Sequence, residues 1–128
     1  MESIKAIIEK ATANLCLLPL FNFLSFIIKA KATIQSIIRK MKLNNRKSDS
    51  KLILKAYDFA NENHKGQLRK SGEPYIIHPL QVAYTLSTLN LDDETICAAL
   101  LHDVVEDTNV TRQDIVKEFS EAIAEMVD

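Results

Sequence analysis

His102, Asp103, Glu106 and Asp107 stand close together in the segment TICAALLHDVVEDT. At helical spacing these four side chains share one arc of about 140°, and Leu100, Leu101, Val104 and Val105 fill the other side. The turns before His102 are almost wholly apolar, so the segment reads as one buried helix over Thr95–Thr108. An imidazole and three carboxylates on such a helix are costly unless they are paired or hold a metal. A donor set of histidine plus carboxylate suits Mn, Fe or Zn better than Ca, and one such ion activates a water. Acidic residues near a helix C-terminus also oppose the macrodipole, which argues for function over helix stability. The plainer reading puts Glu106 and Asp107 at the solvated end of the helix.

A second histidine, His78, lies in RKSGEPYIIHP just before Pro79. It reads as the cap of the next helix or a buried histidine, or as a further site residue. Arg69 and Lys70 upstream offer two cations, and Ser71 offers a hydroxyl. A cationic loop facing an acidic metal site suits a phosphorylated substrate, whereas alone it reads as a solvated charged loop.

Helices must position these groups. Ser48-Asp49-Ser50 is a helix start, and Leu52, Ile53, Ala56, Phe59 and Ala60 recur on one face of a helix ending near His64. Residues 65–77 read as a loop broken by Gly72 and Pro74. Pro79 is placed to open a second helix lined by Leu80, Ala83, Leu86 and Leu89. Asp92 or Asp93 caps the third. Thr111-x-x-Asp114 is a capping-box-like start for a fourth helix ending near Phe119, and Glu121–Val127 suggests a fifth. No alternating strand pattern stands out, so the expected fold class is all-α.

The 128 residues suffice for one domain with a modest core. A net charge of −1 gives no electrostatic footprint for nucleic acid. Cys16 and Cys97 sit in apolar runs and read as small buried hydrophobes in a reducing compartment. There is no glycine-rich phosphate loop of the GxGxxG or Walker type. The chain divides near residue 48. Ala11 to Ile28 carries no charge, and residues 29–47 are basic with Ile34, Ile37, Ile38 and Met41 at helical spacing. Residues 1–47 are expected to form an apolar and basic helical extension, packed on some surface, ahead of a domain over 48–128. A membrane-associated segment over 11–47, or a cleaved signal ending at Ala30-Lys31-Ala32, is weighed and not favoured.

Taken together, HKGQLRKSGEPYIIHPLQVA (64–83) and LDDETICAALLHDVVEDT (91–108) closely resemble the hydrolase domain of RelA/SpoT-type proteins. The resemblance runs from about Leu54 to Asp128, and the form SGEPY is more like the long bifunctional members. It implies an all-α, HD-domain-like helical bundle, incomplete at the C-terminus. It implies an enzyme that hydrolyses the 3′-pyrophosphate of (p)ppGpp with Mn²⁺ in the stringent response. The implied metal ligands are His78, His102 and Asp103. Glu106 and Asp107 would position or activate the attacking water. Arg69 would stack on the guanine, with Lys70, Ser71 and Tyr75 at the nucleotide. The family's fourth ligand, an aspartate in a later segment similar to LADRLHN, has no counterpart before Asp128. A nucleotide-binding or regulatory remnant is therefore the alternative expectation. A cytoplasmic location follows from the substrate, and the oligomeric state stays open.

Overall fold

The computed structural model describes residues 2–16 and 33–128. The apolar run expected as an extension, membrane segment or signal falls largely outside the described residues, as do the Ala30-Lys31-Ala32 site and the Cys16 side chain. No helix among the described residues is long and apolar enough to cross a membrane.

The described residues form helices joined by short loops: α1 (Ile4–Cys16), α2 (Ile34–Asn44), α3 (Ser50–Asn63), α4 (Ile77–Ser87), α5 (Asp93–Leu101), α6 (Val104–Asp107), α7 (Arg112–Glu118) and α8 (Glu121–Val127). The only ladder-like pairing among them is an isolated antiparallel bridge between Leu68 and Pro74. The all-α expectation holds.

Helix α5 is the centre of the bundle. Every residue from Thr95 to Leu101 is buried, and α3, α4 and α8 pack around it. Such a helix has no polar face, and its apolar surface is removed from water on all sides. Its start is fixed by Asp92, whose side chain accepts from the Thr95 amide. Asp49 caps α3 in the same way through the Leu52 amide. The expected capping box at α7 is present, with Thr111 and Asp114 bonded reciprocally.

Helices α1 and α2 share this core. Ile4 and Ile37 are fully buried and Met41 nearly so, and α1 packs against α4, α5 and α8 while α2 packs against α3 and α4. The basic residues of α2 therefore surround an apolar stripe that is already covered.

Two local expectations need correction. The helix expected over Thr95–Thr108 is not continuous. Helix α5 stops at Leu101, His102 and Asp103 form a turn, and α6 begins at Val104. In a continuous helix the Ala99 carbonyl takes the Asp103 amide. Here the His102 ring nitrogen Nδ1 competes for that carbonyl, and Asp103 settles at φ −95°, ψ −7°. His78 is not a helix cap either. Helix α4 begins at Ile77 with Ile76 at the cap position and no side-chain capping bond. His78 and Pro79 lie in the first turn, where the missing proline N–H costs no hydrogen bond.

Candidate metal centre

The break after α5 aims His102 and Asp103 at the start of α4. Asp103 Oδ2 lies 3.1 Å from His102 Nε2 and 3.7 Å from His78 Nε2. The two imidazole rings stand 5.6 Å apart, tilted by 57°. One donor atom from each of His78, His102 and Asp103 lies within 4.8 Å of the others. His102 is buried and the other two are half-buried. Since Nδ1 of His102 donates to the Ala99 carbonyl, its Nε2 is the nitrogen left to bind a cation. That carbonyl contact is the support metal-binding histidines ordinarily have. The donor set N, N, O at this spacing fits a divalent transition metal.

Electrostatics agree with a site built to hold charge. Burial opposes the charged form of His102. The hydrogen bond and charge of Asp103, with the Ala99 carbonyl, outweigh that and raise its pKa above the ordinary value. Burial likewise works against ionised Asp103, but the bond to His102 and the neighbouring imidazoles hold it below the carboxylate range. Burial lowers His78, and the charge of Asp103 only partly offsets it. In its protonated form His102 neutralises Asp103, and a bound cation would displace that proton.

Glu106 and Asp107 lie on the exposed rim. Glu106 pairs with Lys5 of α1, both about half exposed. Asp107 is held from the preceding loop. The Tyr75 hydroxyl donates to Asp107 Oδ2 at 2.6 Å, and Gln67 Nε2 donates to the Asp107 backbone carbonyl at 2.8 Å. Burial, then the bond to Asp107, raises the Tyr75 pKa well above that of a free phenol, so this hydroxyl stays a donor.

The loop expected over 65–77 folds back on itself. Arg69 N–H donates to the Glu73 carbonyl at 2.9 Å and Gly72 N–H to the Arg69 carbonyl at 2.8 Å. Gly72 closes this tip at φ +88°, a conformation glycine adopts without steric cost. The result is an open cavity of about 640 Å³ lined by Leu68, Arg69, Lys70, Ser71, Glu73 and Tyr75. All four expected substrate residues thus line one cavity, and Tyr75 links it to Asp107.

Lys5, His64 and Gln67 escaped the sequence reading. Gln67 lies in the 65–77 loop as an uncharged residue with no spacing signal of its own. His64 was read only as a helix end. Lys5 carries no signal, because its contact is made across the fold.

Cys97 lies on the buried face of α5 and is fully buried. Burial, with the acidic residues at the start of the helix, pushes its thiol up to about 12. In a Cys16→Ala background the folded chain should therefore resist thiol-directed labelling at pH 8 and react only on unfolding. Labelling at the rate of a free thiol would contradict the packing described.

Comparison with known proteins bears on the same region. The HD domain matches residues 56–128, more than half of the chain. A guanosine-3′,5′-bis(diphosphate) 3′-pyrophosphohydrolase of Aquifex aeolicus is 55% identical over 76 residues, covering 59% of this chain and 11% of that protein. One of Borreliella burgdorferi is 47% identical over 96 residues, covering 73% and 14%. The bifunctional (p)ppGpp synthase/hydrolase SpoT of Escherichia coli is 51% identical over 78 residues, covering 61% and 11%. The chain thus spans only a small part of the length of these relatives. The chain belongs to the HD domain family, and within it resembles the (p)ppGpp 3′-pyrophosphohydrolases of the RelA/SpoT type.

Proposed function

We propose that the chain is the metal-holding part of a hydrolase that removes the 3′-pyrophosphate of (p)ppGpp, releasing GDP or GTP and pyrophosphate. The observation that carries this reading is the convergence of His78, His102 and Asp103 beside a cationic cavity built from Arg69, Lys70 and Ser71. The residues from 48 onward form the catalytic unit, and residues 1–47 extend it.

His78, His102 and Asp103 would hold the metal, proposed as Mn²⁺. When bound, such an ion polarises a phosphoryl oxygen and lowers the pKa of a coordinated water. The chain's own groups do the rest. Glu106 and Asp107 orient the attacking water, and Asp107 is fixed for this by Tyr75 and Gln67. Arg69 offers a planar cation that stacks on guanine. Lys70 and Ser71 bind the phosphates. The substrate is a small nucleotide of the cell interior, so the protein works in the cytoplasm; no nucleic-acid partner is proposed, and membrane association through residues 11–47 is not the favoured reading.

A second reading, nucleotide binding without turnover, is favoured by one observation: the cluster among the described residues offers three ligand atoms. Product analysis tests the first. With Mn²⁺ and ppGpp, GDP and pyrophosphate should appear in equal amounts, while GDP alone is untouched. Orthophosphate as the main product would overturn the proposed bond of attack. Arg69→Ala should raise KM by roughly tenfold and leave kcat within about threefold, because it removes binding made equally in ground and transition states. A loss confined to kcat would move Arg69 from binding to the reacting centre.

A further inference from the structure

His64 ends α3 and is 2% exposed, yet the proposed reaction gives it no part. Both groups that hold Asp107 touch it. Its Nδ1 lies 3.0 Å from Gln67 Oε1, and Gln67 Nε2 reaches the Asp107 carbonyl. Its ring stacks on Tyr75 with centroids 4.7 Å apart and planes 25° apart, and the Tyr75 hydroxyl reaches the Asp107 carboxylate. The bonds fix one another's direction. The Asp107 carbonyl only accepts, so Gln67 presents its amide N–H₂ there and its oxygen to His64. His64 must then carry its proton on Nδ1. Its Nε2 is the buried side-chain atom left without a hydrogen-bond partner among the described residues.

The cost of that orphaned acceptor suggests that this ring is kept for what it positions. Helix α6 has only four residues, too short to hold its own end rigidly, and its last carbonyls have no partner within the helix. Gln67 supplies one such partner from outside.

We propose that His64 is the positioning residue of Asp107, holding it through two arms, the Gln67 amide and the Tyr75 ring. This rests on the proposed role of Asp107 at the water. The arms act on different groups, since Gln67 sets the backbone at the end of α6 and Tyr75 sets the carboxylate.

The test compares two substitutions in the full chain. Asparagine places its amide N–H₂ near the Nδ1 position, and glutamine places it near Nε2. His64→Asn should keep the bond to Gln67, and His64→Gln should lose it. The first readout needs no turnover. In NMR spectra of the unaltered chain, His64 should be in the Nδ1–H form. The Asp107 amide resonance should shift in His64→Gln and stay close to its place in His64→Asn, which keeps the Gln67 arm. The Asp107 carboxyl resonance should shift in both, because neither side chain has a ring to stack on Tyr75. The resonances of His78 and His102 should stay put in both. The second readout is ppGpp hydrolysis with Mn²⁺: His64→Gln, which loses both arms, should lower kcat at least tenfold with KM unchanged, and His64→Asn, which keeps one, should lower it less. An unmoved Asp107 amide resonance in His64→Gln, equal effects of the two variants on that amide, or a carboxyl resonance that moves in neither, would overturn the proposal. An unaltered chain that hydrolyses nothing while showing the expected Asp107 shifts would count against the hydrolase reading and leave the positioning role standing.

Discussion

Asp103→Ala is expected to abolish metal-dependent hydrolysis and to weaken divalent metal binding by more than about 100-fold. Loss of a residue that merely supports a ligand already costs roughly 10–100-fold, and Asp103 is itself the oxygen both imidazoles face. Titration of the metal followed by calorimetry, alongside pyrophosphate release, reads both effects. The metal-free chain responds differently with pH. Burial opposes charge on both partners, but their contact raises His102 and lowers Asp103. The charged pair therefore exists between the lowered Asp103 value and the raised His102 value. The substitution should destabilise the metal-free fold most inside that window. The cost should shrink as pH rises past the His102 value, where His102 sheds its proton and the pair is already gone. Metal binding that survives in Asp103→Ala would show that the ligands lie elsewhere.

Glu106→Ala is expected to act on turnover alone. A positioned acid or base contributes about 10²- to 10⁴-fold to rate, and loss of kcat in that range is expected with metal affinity unchanged. Glu106 lies on the exposed rim and its visible partner, Lys5, is about half exposed. Exposed pairs add little to stability, so the melting temperature should stay where it is. A variant that binds metal less tightly, or melts well below the unaltered chain, would make Glu106 a structural residue.

Most of the fold was legible because its signals are local. Asp49, Asp92 and Thr111 cap the helices they precede, and the apolar run in α5 announces its burial. The loop residues Arg69, Lys70, Ser71 and Tyr75 were legible as a motif, and the structure gathers them around one cavity. The break at His102 was not legible. A periodicity argument assumes that each carbonyl bonds to the backbone, and a ring nitrogen competing for the Ala99 carbonyl violates that assumption. The break also alters the site. A single helix would put all four polar groups on one face, whereas the structure sets His102 and Asp103 inside and Glu106 and Asp107 at the rim. The contacts of Lys5 with Glu106 and of Gln67 with Asp107 join residues far apart in the chain. No spacing rule within one helix could reveal them.

The central claim is that His78, His102 and Asp103 hold a divalent metal that hydrolysis of (p)ppGpp requires. The most direct measurement is pyrophosphate release from ppGpp by the purified chain, with Mn²⁺ and after metal removal by a chelator, with Glu106→Ala as control. The predicted result is release with Mn²⁺ that stops on chelation, returns on adding Mn²⁺ back, and is lost in Glu106→Ala. Release that persists without metal or in Glu106→Ala would contradict the assignment. Absence of release, with ppGpp still protecting the fold against heat, would contradict turnover by this chain and favour the binding reading.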